Sequence, residues 1–175
     1  NLANKHPRVN ILQPGAGVGG HCIAVDPWFI ISAFQKEAVI IRNAREINKY
    51  KTEWVIEKIK STALQFELKN NRKPIIALMG LAFKPDIDDL RQSPALEITK
   101  MISKLNLGPT IAVEPNISRL PDSVTSLLKL TSIGFAVENA DIFVLLVDHR
   151  EFRDIDMSDE ILNGKKIIDT QGIWN

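Results

Sequence analysis

A chain with a single cysteine, Cys22, has no partner for an internal disulfide, so a reducing, cytoplasmic setting is expected. No apolar run approaches the roughly 20 residues of a membrane span, and none has the pattern of a signal peptide. An excess of one charge is also missing. The 22 basic and 21 acidic residues nearly cancel and form no long block of either sign, which leaves no electrostatic footprint for nucleic acid or an anionic membrane. Neither partner is expected, and no metal site either. What remains is 175 residues, 45% hydrophobic and 25% charged, enough to bury at least one ordinary core. The first residue is Asn1 rather than Met and "NLANKHPRVN" has no start-like character, so a piece of a longer polypeptide is expected.

Proline and glycine are both absent from residues 36–68, where apolar residues recur at Ile40, Ala44, Ile47, Tyr50 and Trp54, then at Val55, Ile59, Ala63 and Phe66. That is helical spacing. A helix of about 30 residues runs on the order of 45 Å, longer than the helices of a compact small domain. It is expected to link domains or subunits through a two-fold interface, because so long an apolar stripe exceeds what one small α/β domain covers.

"KNNRKP" breaks this pattern. After it, short apolar runs alternate with helical stretches: "IIALMGLAF" (residues 75–83), "TIAVEP" (110–115), "DIFVLLVDH" (141–149) and "KKIIDTQ" (165–171). Each is too short for a normal helix, and the alternation predicts a mainly parallel sheet with crossover helices. Ser93 and Pro94 suit the N-cap and first turn of a helix reaching Lys104 and closed near Gly108. The expected fold is α/β: a long central helix in residues 1–73, then a doubly wound, Rossmann-like sheet domain over residues 74–175.

Ahead of the helix lies "QPGAGVGGHCIAVDPWFI", with four glycines in six residues followed by the cysteine. Gly15, Gly17 and Gly20 satisfy G-x-G-x-x-G, and "VNIL" before them passes for a strand. A dinucleotide fingerprint, however, needs strand, helix and second strand within about 30 residues, and the helical pattern here runs on to Leu68. A glycine cluster is also a common tight surface turn. The thiol favours a different use: glycines let backbone N–H groups approach a ligand, and a cysteine at the mouth of a following helix meets its positive end. A binding loop and a nucleophile are then contiguous. Asp26, four residues on, shares a face with Cys22 if the helix starts at the cysteine. If Asp26 is the N-cap with Pro27 behind it, the helix starts one turn later; spacing leaves both open. His21, adjacent to Cys22, points elsewhere and reads as structural or as a contact residue.

"PGAGVGGHCIAVDPWFI", the "ARE-IN" of the long helix and "GLAFKPDIDDLRQSPA" resemble, in order, signatures of the UDP-glucose/GDP-mannose dehydrogenase family, in the details of its branch acting on UDP-N-acetyl-D-mannosamine. The resemblance spans essentially the whole chain. It implies a central dimerising helical region and a C-terminal nucleotide-sugar domain, without the family's N-terminal NAD-binding Rossmann domain or its lysine and asparagine pair. It also implies oxidation of the sugar C6 alcohol to a carboxylate with two NAD. The Cys22 thiolate attacks the intermediate aldehyde, giving a thiohemiacetal, then a thioester that water hydrolyses. Asp26 resembles the acidic helper that orients this water.

By the same resemblance Val18 and Gly19 line the sugar and phosphate site, Phe83 and Lys84 contact the nucleotide sugar, Arg91 reaches the NAD pyrophosphate, and His6 and Arg8 reach the substrate of a neighbouring subunit in a homodimer. The residues agree in kind, since Lys84 and Arg91 follow the first expected strand, where open α/β sheets bind ligands. Relatives place an arginine after "DT" where this chain has Gln171. Glu114 is placed to bond a ribose, though a strand-end turn residue is the simpler reading. Other sugars, such as UDP-glucose or UDP-N-acetylglucosamine, remain open, as does a non-catalytic UDP-binding or dimerisation module.

Overall fold

A computed structural model describes residues 2–8, 13–156, 158 and 160–174. The "VNIL" segment at residues 9–12 lies outside the described residues. Two helices follow the glycine loop, α1 at Asp26–Ala33 and the 32-residue α2 at Val39–Asn70. The helical pattern is therefore interrupted without any proline or glycine. Phe34 leaves the helical region at φ −128° and ψ 63°, residues 35–38 form a turn, and Arg42 closes it by donating to the Gln35 carbonyl at 2.8 Å. The turn folds α1 back against α2. At its far end α2 stops on Asn71, left-handed at φ 51°, whose N–H bonds the Glu67 carbonyl. Asparagine is one of the few residues other than glycine that tolerates this conformation.

Strands β1 (Ile76–Met79), β2 (Thr110–Val113), β3 (Lys129–Leu130), β4 (Ile142–Leu145) and β5 (Lys166–Asp169) form one parallel sheet in the order β3-β2-β1-β4-β5. Helix α3 (Pro94–Lys104) joins β1 to β2 and starts as expected, with Ser93 Oγ accepting from the Leu96 N–H. The short α4 (Asp122–Thr125) leads into β3, α5 (Ile133–Asn139) joins β3 to β4, and α6 (Arg150–Arg153) follows β4. The two-residue β3 is shorter than any recognisable strand pattern. The four apolar runs are each longer than their strands, because their last residues leave the ladder at its carboxyl end. At Gly80, φ is +89° and a Cβ would lie 2.5 Å from that of Val147.

Side-chain alternation along the strands divides the core. Ile76, Leu78, Ile142, Val144 and Ile168 face one side, where they meet Ile98 and Ile102 of α3 and Val55, Ile56, Ile59, Ala63 and Phe66 of α2. Ala77, Met79, Phe143 and Leu145 face the other, against Ala136 of α5 and Phe152 of α6. The long helix thus has two fates. Its second half covers the sheet, while Ile40, Ile47 and Tyr50 of its first half are exposed by 84%, 67% and 61%. Arg72, just beyond α2, clasps Asp141 at the start of β4 through two bonds of 2.8 and 2.6 Å. This holds the Asp141 carboxyl below its ordinary pKa, helped by the Ile75 N–H. A depressed folded pKa contributes stability above the unfolded value, and the contribution is lost as pH falls through the folded one.

Truncating a fully covered helix residue should therefore destabilise the sheet domain. Ile59→Ala, at a site with no exposure, is expected to cost about 2–5 kcal/mol. Leu68→Gln, at a position 86% exposed on the same helix, should stay within about 0.5 kcal/mol. Urea denaturation followed by circular dichroism measures both; equal effects would contradict the division of the helix.

Candidate functional site: a cleft at the carboxyl ends of the strands

From β1 the chain crosses to β2 and β3 on one side, then returns past β1 to β4 and β5 on the other. The neighbours β1 and β4 therefore feed loops that diverge, and a crevice opens outside their carboxyl ends. This crevice holds a cleft of about 560 Å³, within the usual range for small-ligand sites. Ala82, Phe83, Lys84 and Pro85 line it from the β1 loop, Val147 and Asp148 from the β4 loop, and Gln171 from beyond β5. The glycine loop forms another wall through residues 15–19, beside Pro94 and Ala95 of α3.

That loop is held from two sides. From α2, Asn48 Oδ1 accepts the Val18 N–H at 2.8 Å, and Thr52 Oγ1 donates to the Ala16 carbonyl at 3.1 Å. From the β1 loop, the Arg91 carbonyl accepts the Gly20 N–H at 3.3 Å. Ala16 is buried among the core residues shared by α2 and α3. Gly19 admits no side chain: a Cβ there would lie 2.5 Å from the Gln92 carbonyl oxygen, 2.8 Å from Pro94 and 2.9 Å from Phe83. Gly20, at φ +90°, lies against the Phe83 ring.

Cys22 is exposed just beyond this seat. Its carbonyl accepts from the Val25 and Asp26 N–H groups at 3.0 and 2.8 Å, so Cys22 and Asp26 stand one turn apart. Helix α1 begins at Asp26, with Val25 at the N-cap position and Pro27 next in line. Neither earlier reading of Asp26 holds as written, since it is the first helical residue rather than the cap. Cys22 also stands a turn ahead of the helix's positive end rather than at its mouth.

Arg91 is ion-paired with Asp89, Nη2 to Oδ2 at 2.6 Å, with Nε donating to both carboxylate oxygens at 3.0 Å. This hydrogen bonding holds the Asp89 carboxyl at about 2. In turn it raises the Arg91 guanidinium pKa. Phe83, Lys84, Val18 and Gly19 thus meet in the cleft, and Arg91 borders the loop that carries the thiol. His6 and Arg8 are exposed in the N-terminal segment, outside the cleft lining, with His6 Nδ1 accepting the Arg8 N–H at 3.2 Å.

Glu114 is not placed for a ribose. It is 3% exposed, with Oε2 accepting the Leu81 and Ala82 N–H groups at 2.7 and 3.1 Å. Burial pushes its pKa up, but the hydrogen bonds from His149 and from the Leu81 and Asn116 N–H groups outweigh burial and leave it below the ordinary value.

Sequence reasoning missed Asn48 and Thr52, and it missed Asp148 and Arg153, which pair with each other across the cleft wall. Asn48 and Thr52 were detectable in principle, because they continue at helical spacing the stripe that Val55 and Ile59 bury. The Asp148–Arg153 pair had no local signal. Among the described residues no group of three or more His, Cys, Asp or Glu side chains is placed to hold a metal ion, and no helix is long and apolar enough to cross a membrane.

Residues 77–175 match the UDP-binding domain of the UDP-glucose/GDP-mannose dehydrogenase family, and residues 1–50 match its central domain. The chain is 47% identical to the UDP-N-acetyl-D-mannosamine dehydrogenase of Escherichia coli K12, over 99% of this chain and 41% of that protein. It is 49% identical to an NDP-N-acetyl-D-galactosaminuronic acid dehydrogenase of Ralstonia solanacearum, over 100% of this chain and 40% of that protein. The structure of a UDP-D-ManNAc dehydrogenase from Pyrococcus horikoshii superposes with a TM-score of 0.71 at 34% identity, covering 98% of this chain and 39% of that one. The chain spans about two fifths of the length of the curated relatives it matches. It belongs to the UDP-glucose/GDP-mannose dehydrogenase family.

The seat at Gly19 makes a direct prediction. Gly19→Ala must displace the Gln92 carbonyl or Pro94 and should cost about 1–3 kcal/mol. Gly134→Ala, where a Cβ meets nothing within 4 Å, should be neutral or stabilising by up to about 1 kcal/mol. Thermal denaturation of the two variants decides between a seat and a passive turn.

Proposed function

We propose that this chain, as a member of the UDP-glucose/GDP-mannose dehydrogenase family, forms the nucleotide-sugar site and the covalent nucleophile of an NAD-dependent UDP-N-acetyl-D-mannosamine 6-dehydrogenase. The observation that carries this reading is the docking of the glycine loop, with Cys22 at its end, on the cleft that contains Phe83 and Lys84. Phe83 and Lys84 take the nucleotide part of the substrate, Lys84 as a point charge toward the diphosphate. Backbone groups of Val18 and Gly19 line the sugar and phosphate. The sugar C6 then lies toward Cys22.

At the aldehyde stage the Cys22 thiolate adds to C6, forming a C–S bond while the carbonyl oxygen takes up a proton, which gives a thiohemiacetal. Loss of a hydride from C6 and of the hydroxyl proton leaves a thioester. Asp26, one turn from Cys22, orients the water whose attack breaks the C–S bond, releasing the carboxylate and restoring the thiol. NAD supplies the hydride acceptor when bound. Among the described residues the glycine loop does not make a dinucleotide site: Gly15, Gly17 and Gly20 are followed by α1 and α2 before the first described strand. Arg91, already engaged by Asp89, is a candidate contact to the cofactor. In this reading the NAD that accepts the hydride is held by an NAD-binding domain with its lysine and asparagine.

Residues 1–73, as a cysteine loop and central helical region, join residues 74–175, as a UDP-sugar domain, through the buried half of α2. The exposed half, together with Phe29 of α1 and Phe34 just beyond it, exposed by 70% and 58%, is a surface for a second copy, and His6 and Arg8 extend toward that copy's substrate. The Ralstonia relative favours a second reading in which the same chemistry serves another N-acetylhexosamine; competition between UDP-sugars separates the two.

The chain mixed with NAD and UDP-N-acetylmannosamine should give no absorbance at the NADH band alone, and should do so when a separately produced N-terminal domain is added. Cys22→Ser should abolish net turnover in that mixture. Turnover by the chain alone, or near-normal rates with the serine, would refute the assignment. Sedimentation at tens of micromolar, a concentration chosen by rough analogy with interface affinities, should show dimers; monomer alone would count against the helical interface.

A further inference from the structure

A buried carboxylate–imidazole pair stands outside the chemistry above. Glu114 and His149 lie inside the carboxyl end of the sheet, 3% and 0% exposed. The imidazole Nδ1 accepts the Asp86 N–H at 2.9 Å, which requires it to be unprotonated, and Asn116 Nδ2 lies 3.0 Å from the same atom. The ring proton is then on Nε2, which donates to Glu114 Oε2 at 2.9 Å. That oxygen also accepts the successive Leu81 and Ala82 N–H groups. The other carboxylate oxygen accepts the Asn116 N–H at 3.1 Å.

The β1 loop is therefore pinned at residues 81 and 82 by Glu114 and at residue 86 by His149. Between these anchors lie Phe83, Lys84 and Pro85, all three in the cleft wall. Asp86 is left-handed at φ 61°, a conformation that costs a non-glycine residue free energy and persists where its surroundings over-determine it. Here the His149 bond to its N–H and the bond from the Arg150 N–H to its Oδ1, at 3.0 Å, do so. The pinned Phe83 is in turn the surface against which Gly19 and Gly20 lie.

We propose that Glu114 and His149 are positioning residues of the nucleotide-sugar site, holding the 81–86 loop so that Phe83 and Lys84 face the ligand and the cysteine-bearing glycine loop finds its seat. This rests on the reading of the cleft as a UDP-sugar site. A carboxylate is needed because every group around it donates. In Glu114→Gln the amide N–H₂ must face either Leu81 and Ala82 or Asn116, and so opposes a donor in both orientations.

The test uses the intact chain with UDP as the probe. Calorimetry gives UDP affinity, and amide hydrogen exchange by NMR is read at Leu81, Ala82 and Asp86, with Ile76–Met79 of β1 as internal reference. In Glu114→Gln and His149→Phe, UDP binding should weaken by about tenfold or more, the equivalent of about 1.4 kcal/mol. Exchange should speed up at the three loop amides and stay as in wild type along β1. Lys84→Ala should lose UDP with loop exchange unchanged. Wild-type UDP affinity in both pair variants, with β1 still protected, overturns the positioning role. If the unaltered chain does not bind UDP, the cleft reading fails instead, and unchanged loop exchange in both variants still overturns the pinning. Should His149→Phe not fold, the near-isosteric Glu114→Gln decides alone.

Discussion

The missing side chain at Gly19 is the constraint on which the site depends. A Cβ at that position would stand 2.5 Å from the Gln92 carbonyl and under 3 Å from Pro94 and Phe83, so the loop and the start of α3 approach as closely as backbone atoms permit. Two segments far apart in sequence thereby become opposite walls of one cleft. The Gly20 N–H reaching the Arg91 carbonyl and the Asn48 amide taking the Val18 N–H complete the fit.

The long helix makes this arrangement rigid by serving two neighbours. Its apolar residues from Val55 to Phe66 are part of the sheet's own core. One to two turns earlier on the same face, Asn48 and Thr52 grip the glycine loop. The helix thus carries the position of the sheet to the loop, and the Arg72–Asp141 clasp ties its end to the edge of β4. Helical spacing reveals a stripe but not what covers it. The stripe read as one continuous interface is in fact part core, part loop support and part open surface.

Much of the fold was legible in the amino-acid sequence. The parallel α/β domain, the four main strands and the capped start of α3 at Ser93 follow from apolar periodicity and local capping chemistry, which act over a few residues and leave a local record. The break at residues 34–38 left none, because no proline or glycine marks it. Nor did β3, a two-residue strand held by its pairing to β2. For the candidate site, the glycine loop stood out by composition and the "LAFK" stretch through the family resemblance, whereas Asp148, Arg153 and the roles of Asn48 and Thr52 did not.

Glu114 shows where the division falls. By itself the sequence determined which residue types end each strand and that loops follow them, since strand length and turn chemistry are local properties. Only the tertiary structure decided which way each strand-end side chain turns. Glu114 points inward to the Leu81 and Ala82 amides and His149 because the order β2-β1-β4 brings three loops together at one end of the sheet. A buried carboxylate is tolerable where those loops supply enough donors to replace water, and no window of sequence contains all three.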